Sequence, residues 1–196
     1  MGVGRPREFD PDEALDCAME LFWRQGYEGT SLSDLTEAMG IAKPSLYAVF
    51  GNKEELFRKA LDRYAARRSD VSCNALGEAT SRRAVERLLL AFAGVDDESD
   101  TPKGCLMVQG ALVCSEASEA IRQELCARRA ESEAALCRRM AEWKEAGDLP
   151  DSADPKDLAR YVMAVAHGIT VQAASGASAE DLRRVVTMTM RTWPPV

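Results

Sequence analysis

Gly40 lies between two short stretches that each carry their own helix start, and this arrangement leaves the chain few folds to choose from. Upstream, Ser31 with Asp34 forms an S-x-x-D capping pattern, and Leu32, Leu35 and Met39 supply a stripe at helical spacing. Gly40 closes that helix and permits a sharp turn, and Ile41 plugs the gap behind it. Downstream, Lys43 to Phe50 reads as the next helix, with Pro44 tolerated in its first turn. Asn52 with Glu55 then caps a further helix. A capped short helix, a tight turn and a second short helix predict a helix-turn-helix.

The rest of the chain repeats helical grammar. Asp10 is an N-cap with Pro11 at the first helical position and Glu13 three residues after the cap. Ala14, Ala18, Leu21 and Phe22 then share a face up to Gly26. The helix capped by Asn52 carries Phe57, Ala60, Leu61 and Tyr64 and extends to about Ser72. Further helices are predicted over about 81–94, 104–114, 118–146, 155–174 and 178–192, with an acidic, proline-containing loop from Asp96 to Lys103. No run alternates with period two, so the fold class is all-α. A three-helix head over residues 7–67 joins, through its long fourth helix, a helical body over 68–196.

Composition excludes several function classes. With 46% hydrophobic and 29% charged residues, the chain is globular rather than disordered. The single histidine and six cysteines without a C-x-x-C pair do not make a zinc finger, and neither a metal nor a cofactor is expected. No nucleophile–base pair or phosphate-binding loop marks an enzyme. No secretory signal is present, and no apolar run approaches the ~20 residues of a membrane span, so a cytoplasmic chain with free thiols is expected. The net charge of -7 opposes general nucleic-acid affinity. Residues 1–68 themselves hold ten Lys and Arg against twelve Asp and Glu. Contact with DNA therefore has to rest on local geometry, and a helical scaffold that binds protein stays open.

That geometry has named candidates. The N-terminal part of the second helix of the motif enters a major groove while neighbouring groups grip phosphates. Here it offers Lys43, Pro44, Ser45 and Leu46, with Lys43 able to reach guanine or phosphate, and Leu46 able to touch a thymine methyl or to pack. Tyr47 can give its hydroxyl to phosphate. Thr30, Ser31 and Lys53 stand at helix N-termini, where backbone N–H groups favour an anion, and Arg5 and Arg7 can act as a short arm.

In order and spacing, Gly26-Tyr27, Thr30-Ser31, Ala38-Met39-Gly40-Ile41, Lys43-Pro44-Ser45-Leu46-Tyr47, Phe50 and Asn52-Lys53-Glu54-Glu55-Leu56 resemble the N-terminal signature of the TetR family of bacterial transcriptional regulators. The match covers residues 7 to 67. It implies an all-α homodimer that binds a double-stranded DNA operator with its head and an unidentified small-molecule effector with its body, repressing nearby genes until the effector releases it. One position departs from the pattern. The family usually has Ser or Thr where Ala42 stands, and loss of that cap costs about 1 kcal/mol.

The body carries weaker signals. The helix over about 155–174 is apolar nearly all round, from Tyr161 through Ala166 and again at Ile169 to Val171. Such a helix needs cover on two sides. One side suits its own core; the other suits a second copy, with the helix over 178–192 alongside, or the centre of a monomer. Candidate pocket residues are Phe92, Leu106, Met107, Gln109, Leu112, Trp143, Met163, His167 and Gln172, each of which also fits plain core packing. Cys105, Cys114, Cys126 and Cys137 lie close enough in sequence to suggest thiol chemistry, which requires exposure and a lowered pKa.

Overall fold

A computed structural model describes residues 9–95, 101–112 and 118–195, excluding the side chains of 70–72 and 110–112. Arg5, Arg7, Cys114, the Leu112 side chain and most of the acidic stretch from Asp96 fall outside the described residues. Among those described, nine α-helices follow in order: α1 Pro11–Gly29, α2 Leu32–Ala38, α3 Lys43–Phe50, α4 Lys53–Leu76, α5 Ser81–Ala93, α6 Leu106–Leu112, α7 Glu119–Glu145, α8 Pro155–Ala174 and α9 Ala179–Arg191.

Local chemistry sets most of these boundaries. The Asp10 side chain accepts from Asp12 N–H at the start of α1, one residue earlier than the spacing to Glu13 suggested. The chain leaves helical geometry at Gly26, φ 72° and ψ 174°, so α1 ends in a kink followed by one short turn. Ser31 and Asp34 close a complete capping box on α2, as do Asn52 and Glu55 on α4. Gly51 makes the second box possible. Its φ of 81° is left-handed, and a side chain there would collide with the Glu55 carboxylate that reaches back to Asn52 N–H. The fourth helix outruns its expected end near Ser72, and its last turn packs Ala75 and Leu76 on the body core.

Two apolar cores result. In the body, α5, α8 and α9 and the C-terminal part of α7 bury Val85, Leu89, Trp143, Val162, Ala166 and Val186 together. In the head, Phe22 and Phe57 meet edge to face with centroids 4.9 Å apart, and Trp23 meets Tyr64 in the same way at 4.8 Å. Leu35, Leu46, Phe50 and Leu61 complete that cluster. It also takes in Cys105, Leu106 and Val108 from the start of α6 and Ile121 and Leu125 from the start of α7. Helix α7, about 40 Å long at 1.5 Å per residue, thus packs one end into each core. Helix α8 shows a single buried stripe through Leu158, Val162, Ala166, Ile169 and Ala173, while Ala164, Gly168 and Val171 face out.

An ion-pair clamp fixes α1 on α4. Arg63 holds Asp16 in a bidentate pair, Nε to Oδ1 at 2.8 Å and Nη2 to Oδ2 at 3.0 Å, and Arg67 reaches the same carboxylate at 2.7 Å. Hydrogen bonding from Arg63 holds the Asp16 carboxyl below its ordinary value of 3.8, against the opposing effect of burial and with help from Arg67. A carboxyl whose pKa falls on folding stabilises the fold fully above its unfolded value, and that stabilisation is lost as pH drops through the folded value. Asp16→Asn should therefore cost about 1 kcal/mol at neutral pH. In thermal melts across a pH series, the gap to the parent protein should close as pH falls below about 3.8; a gap that stays constant would show that the carboxylate charge is not the source.

Candidate nucleic-acid interface

Helix α3 has eight residues, too few to persist alone, and exists because one side of it is docked. Leu46 and Phe50 are buried in the head core, and Val49 is half-buried beside them. The opposite side carries Lys43, Pro44, Tyr47 and Ala48, all exposed, with Ser45 between the two faces. Tyr47 leaves 48% of its surface open, unusual for a large aromatic in a folded chain. Lys43 and Tyr47 are four residues apart, so their tips project from one strip. At the far end, Lys59 Nζ donates to the Phe50 carbonyl at 3.2 Å and satisfies a terminal acceptor of α3.

Two of the expected contacts change on inspection. Leu46 is fully buried and packs, so it holds α3 in place and does not present itself to a base. The Thr30 side chain is also fully buried, and its hydroxyl donates to the Gly26 carbonyl at 2.7 Å, tying down the kink after α1. Ser31 remains exposed at the start of α2, with its Oγ accepting from Asp34 N–H at 3.1 Å.

Lys53 is placed more firmly than sequence reasoning showed. Its Nζ sits 4.3 Å from the centroid of the Tyr27 ring, a cation–π contact at the N-terminus of α4. Burial there pulls the Lys53 pKa below the ordinary lysine value, opposed by the charges of Glu28 and Asp34. Tyr27 in turn lies against Phe57, centroids 5.0 Å apart. The ammonium is thereby aimed from a rigid aromatic stack. The partnership of Tyr27 and Lys53, 26 residues apart, leaves no trace in helical periodicity.

The body candidates do not converge on one cavity. Trp143 and Met163 are buried in the body core, and Phe92 lies at its edge with the Arg68 guanidinium 5.8 Å from its ring centroid. Leu106 and Met107 pack with the head cluster instead, because α6 turns its apolar side towards α1 and α4. Gln109 donates to the Lys103 carbonyl at 3.3 Å and lines a cleft of about 390 Å³ with Trp23 and Arg24 of α1. Gln172 borders a groove of about 440 Å³ between α8 and α9. His167 is half-buried, and burial together with the Arg129 charge pushes its pKa below the ordinary histidine value. Cys105 is buried, while Cys126 is exposed with its sulfur 3.2 Å from Arg129 Nη2. Among the described residues no cluster of His, Cys, Asp or Glu is placed to hold a metal ion, and no helix is long and apolar enough to cross a membrane.

Comparison with known proteins decides the class. The profile described as "Bacterial regulatory proteins, tetR family" matches residues 14–60, and "Tetracyclin repressor-like, C-terminal domain" matches residues 81–189. The HTH-type transcriptional repressor ComR of Escherichia coli (strain K12) is 39% identical over 196 residues, covering 97% of this chain and 92% of ComR. The chain belongs to the TetR family of bacterial regulatory proteins. It is thus a helix-turn-helix transcriptional regulator of a non-enzymatic family. A cysteine-substituted variant of the TetR family regulator CifR, solved with a 26bp double-strand operator DNA, superposes with a TM-score of 0.92 at 42% identity, covering 97% of this chain and all of that one. The repressor BdcR of E. coli (strain K12) is 44% identical over 61 residues, 31% of each chain.

The start of α3 lacks a side-chain cap. Ala42 is the N-cap and makes no side-chain cap hydrogen bond. The backbone closes the turn alone, with Ser45 and Leu46 N–H donating to the Ala42 carbonyl at 2.9 and 3.1 Å. Ala42→Ser should add the missing cap and stabilise the head by about 0.5–1 kcal/mol. Chemical denaturation would show this as a raised midpoint at unchanged slope; an unmoved midpoint would mean that the backbone already satisfies this end.

Proposed function

We propose that this TetR family member is a repressor that binds a palindromic duplex operator as a homodimer and is released when a small molecule binds its body. The observation that carries the reading is the exposed strip of Lys43 and Tyr47, with half-buried Ser45 at its edge, on an α3 held from behind by Leu46 and Phe50. Lys43 and Ser45 are suited to base edges and phosphate, Tyr47 to phosphate, and Lys53 with the α2 start at Ser31 to the flanking backbone. The solved complex of the relative CifR with operator DNA and the repressor name of ComR support the same use of the head.

Exposed apolar surface supports the dimer. The large hydrophobic side chains left most open among the described residues are Tyr47, on the proposed DNA face, and Val171, Val185 and Met188, all on α8 and α9. Met188 exposes 67% of its surface and Val185 40%. A second copy related by a twofold axis would cover this face with the same face of its own, and would set two α3 helices about 34–36 Å apart for successive major grooves. The effector would act by favouring a dimer whose heads no longer match that spacing.

Two experiments test the reading. Lys43→Ala combined with Tyr47→Ala should lower affinity for the DNA upstream of the gene on the order of 100-fold, while sedimentation still shows a dimer. Wild-type affinity should also fall steeply with salt. Binding that survives the double substitution would place the DNA contact elsewhere. Val185→Glu with Met188→Glu should give a folded monomer with much weaker DNA binding; a dimer that persists would remove α9 from the interface.

A further inference from the structure

Helix α4 carries the chain from head to body, and α7 starts at the head and runs into the body again. Where the two meet, Glu124 stands between two guanidinium groups. Arg58 Nε donates to Glu124 Oε2 at 2.7 Å, while Arg58 Nη2 donates to Glu54 on its own helix at 2.5 Å. Arg128 donates to Glu124 Oε1 from Nη2 at 2.8 Å and from Nε at 3.2 Å, and its Nη2 also reaches Asp62 Oδ1 at 2.6 Å. The helices are thus cross-linked twice, Arg58 to Glu124 and Asp62 to Arg128, across 66 residues of sequence. Glu124 and Arg128 are each only 22% exposed at the side chain, so the centre of the cluster is sheltered, while Arg58 and Asp62 at its rim are open to solvent. Burial alone would raise the Glu124 pKa, but hydrogen bonds from Arg128 and Arg58 outweigh it and keep the carboxylate ionised.

The neighbours of this cluster show what it does. Ile121 and Leu125 of α7 are fully buried in the head core beside Leu106 of α6. Apolar contact holds surfaces together without fixing their angle. Charge-assisted hydrogen bonds, some of them paired on one carboxylate, do fix it. From this geometry we infer that Glu124, with Asp62, is a positioning residue: the double link locks the angle of the head on the body and so sets the spacing between the two α3 helices of the dimer. The inference rests on the proposed dimeric DNA binding. Neither residue belongs to the proposed DNA face or dimer face, so the role is one of placement.

The experiment uses the full-length chain. Wild-type protein first selects a duplex from a randomised pool, and its affinity is then measured for that duplex and for versions whose half-sites are moved one base pair closer or farther. Glu124→Gln with Asp62→Asn keeps side-chain size and removes the charge from both cross-links, leaving one amide oxygen in place of each carboxylate. For the selected duplex the variant should bind up to about tenfold more weakly, because the matched head spacing is populated for less of the time. Its preference for the selected spacing over the altered ones should shrink to near unity, with an unchanged salt slope because no phosphate contact is lost. A merely structural role would lower thermal stability and leave spacing preference intact, and that result overturns the inference. If the double variant does not fold, Glu124→Gln alone is measured in the same way, and a retained preference again overturns it. If the wild type selects no duplex, the DNA reading fails separately. The clasp is then read by energy transfer between dyes at Ser33 in the head and Arg138 in the body, where the variant should show a broader distance distribution and an identical distribution would overturn it.

Discussion

Burial of Leu46 and Phe50 is the contact on which the functional surface depends. Eight residues cannot hold a helix in water, so α3 takes its shape from the pocket that receives those two side chains. Once they are seated, helical geometry turns Lys43 and Tyr47 outward. Lys59 satisfies the end of the helix, and the capping boxes of α2 and α4 fix the chain on either side of it. The protein is acidic overall, yet it presents a small polar strip with fixed direction. In the proposed use of this strip, orientation replaces bulk attraction, because an acidic chain gains affinity for phosphates only from cations that are held in place.

The head is in turn held by the body. Its core includes Leu106 from α6 and Ile121 and Leu125 from α7, so no plane separates the two parts cleanly. The body is joined to the head by these packed side chains and by the arginine–carboxylate cluster around Glu124, as well as by α4. Interiors this closely packed shift between discrete arrangements more readily than they deform, which is the physical requirement for a switch.

Much of this was legible in the sequence where chemistry is local. Ser31 with Asp34 and Asn52 with Glu55 announced two helix starts, and Lys43-Pro44 to Phe50 and Asp154-Pro155 marked α3 and the start of α8. Side-chain direction was harder to read. In α1 the stripe of Ala14, Ala18, Leu21 and Phe22 missed Met19 and Trp23, because both flanks of that helix are covered, one by α4 and one by α6. Leu46 and Thr30 were counted with the DNA face because motif position marks them, whereas packing against the head decides where they point. The pocket candidates on α6 went astray for the same reason: nothing in Leu106 or Met107 tells which of two apolar clusters will claim them. Contacts such as Lys53 on Tyr27, or Arg58 on Glu124, arise only when the chain is folded.

The two-ended packing of α7 bears on how such proteins can be recombined. A chimera that exchanges heads at the end of the matching N-terminal segment, residue 60, would transplant Phe22 and Phe57 but leave Leu106, Ile121 and Leu125 of the host facing a foreign surface. Regulators rewired in this way inherit a mismatched seam beneath the DNA-reading element, far from the cut. A transferable module here is discontinuous: the N-terminal segment together with the short pieces around residues 105–108 and 121–128, exchanged as one unit.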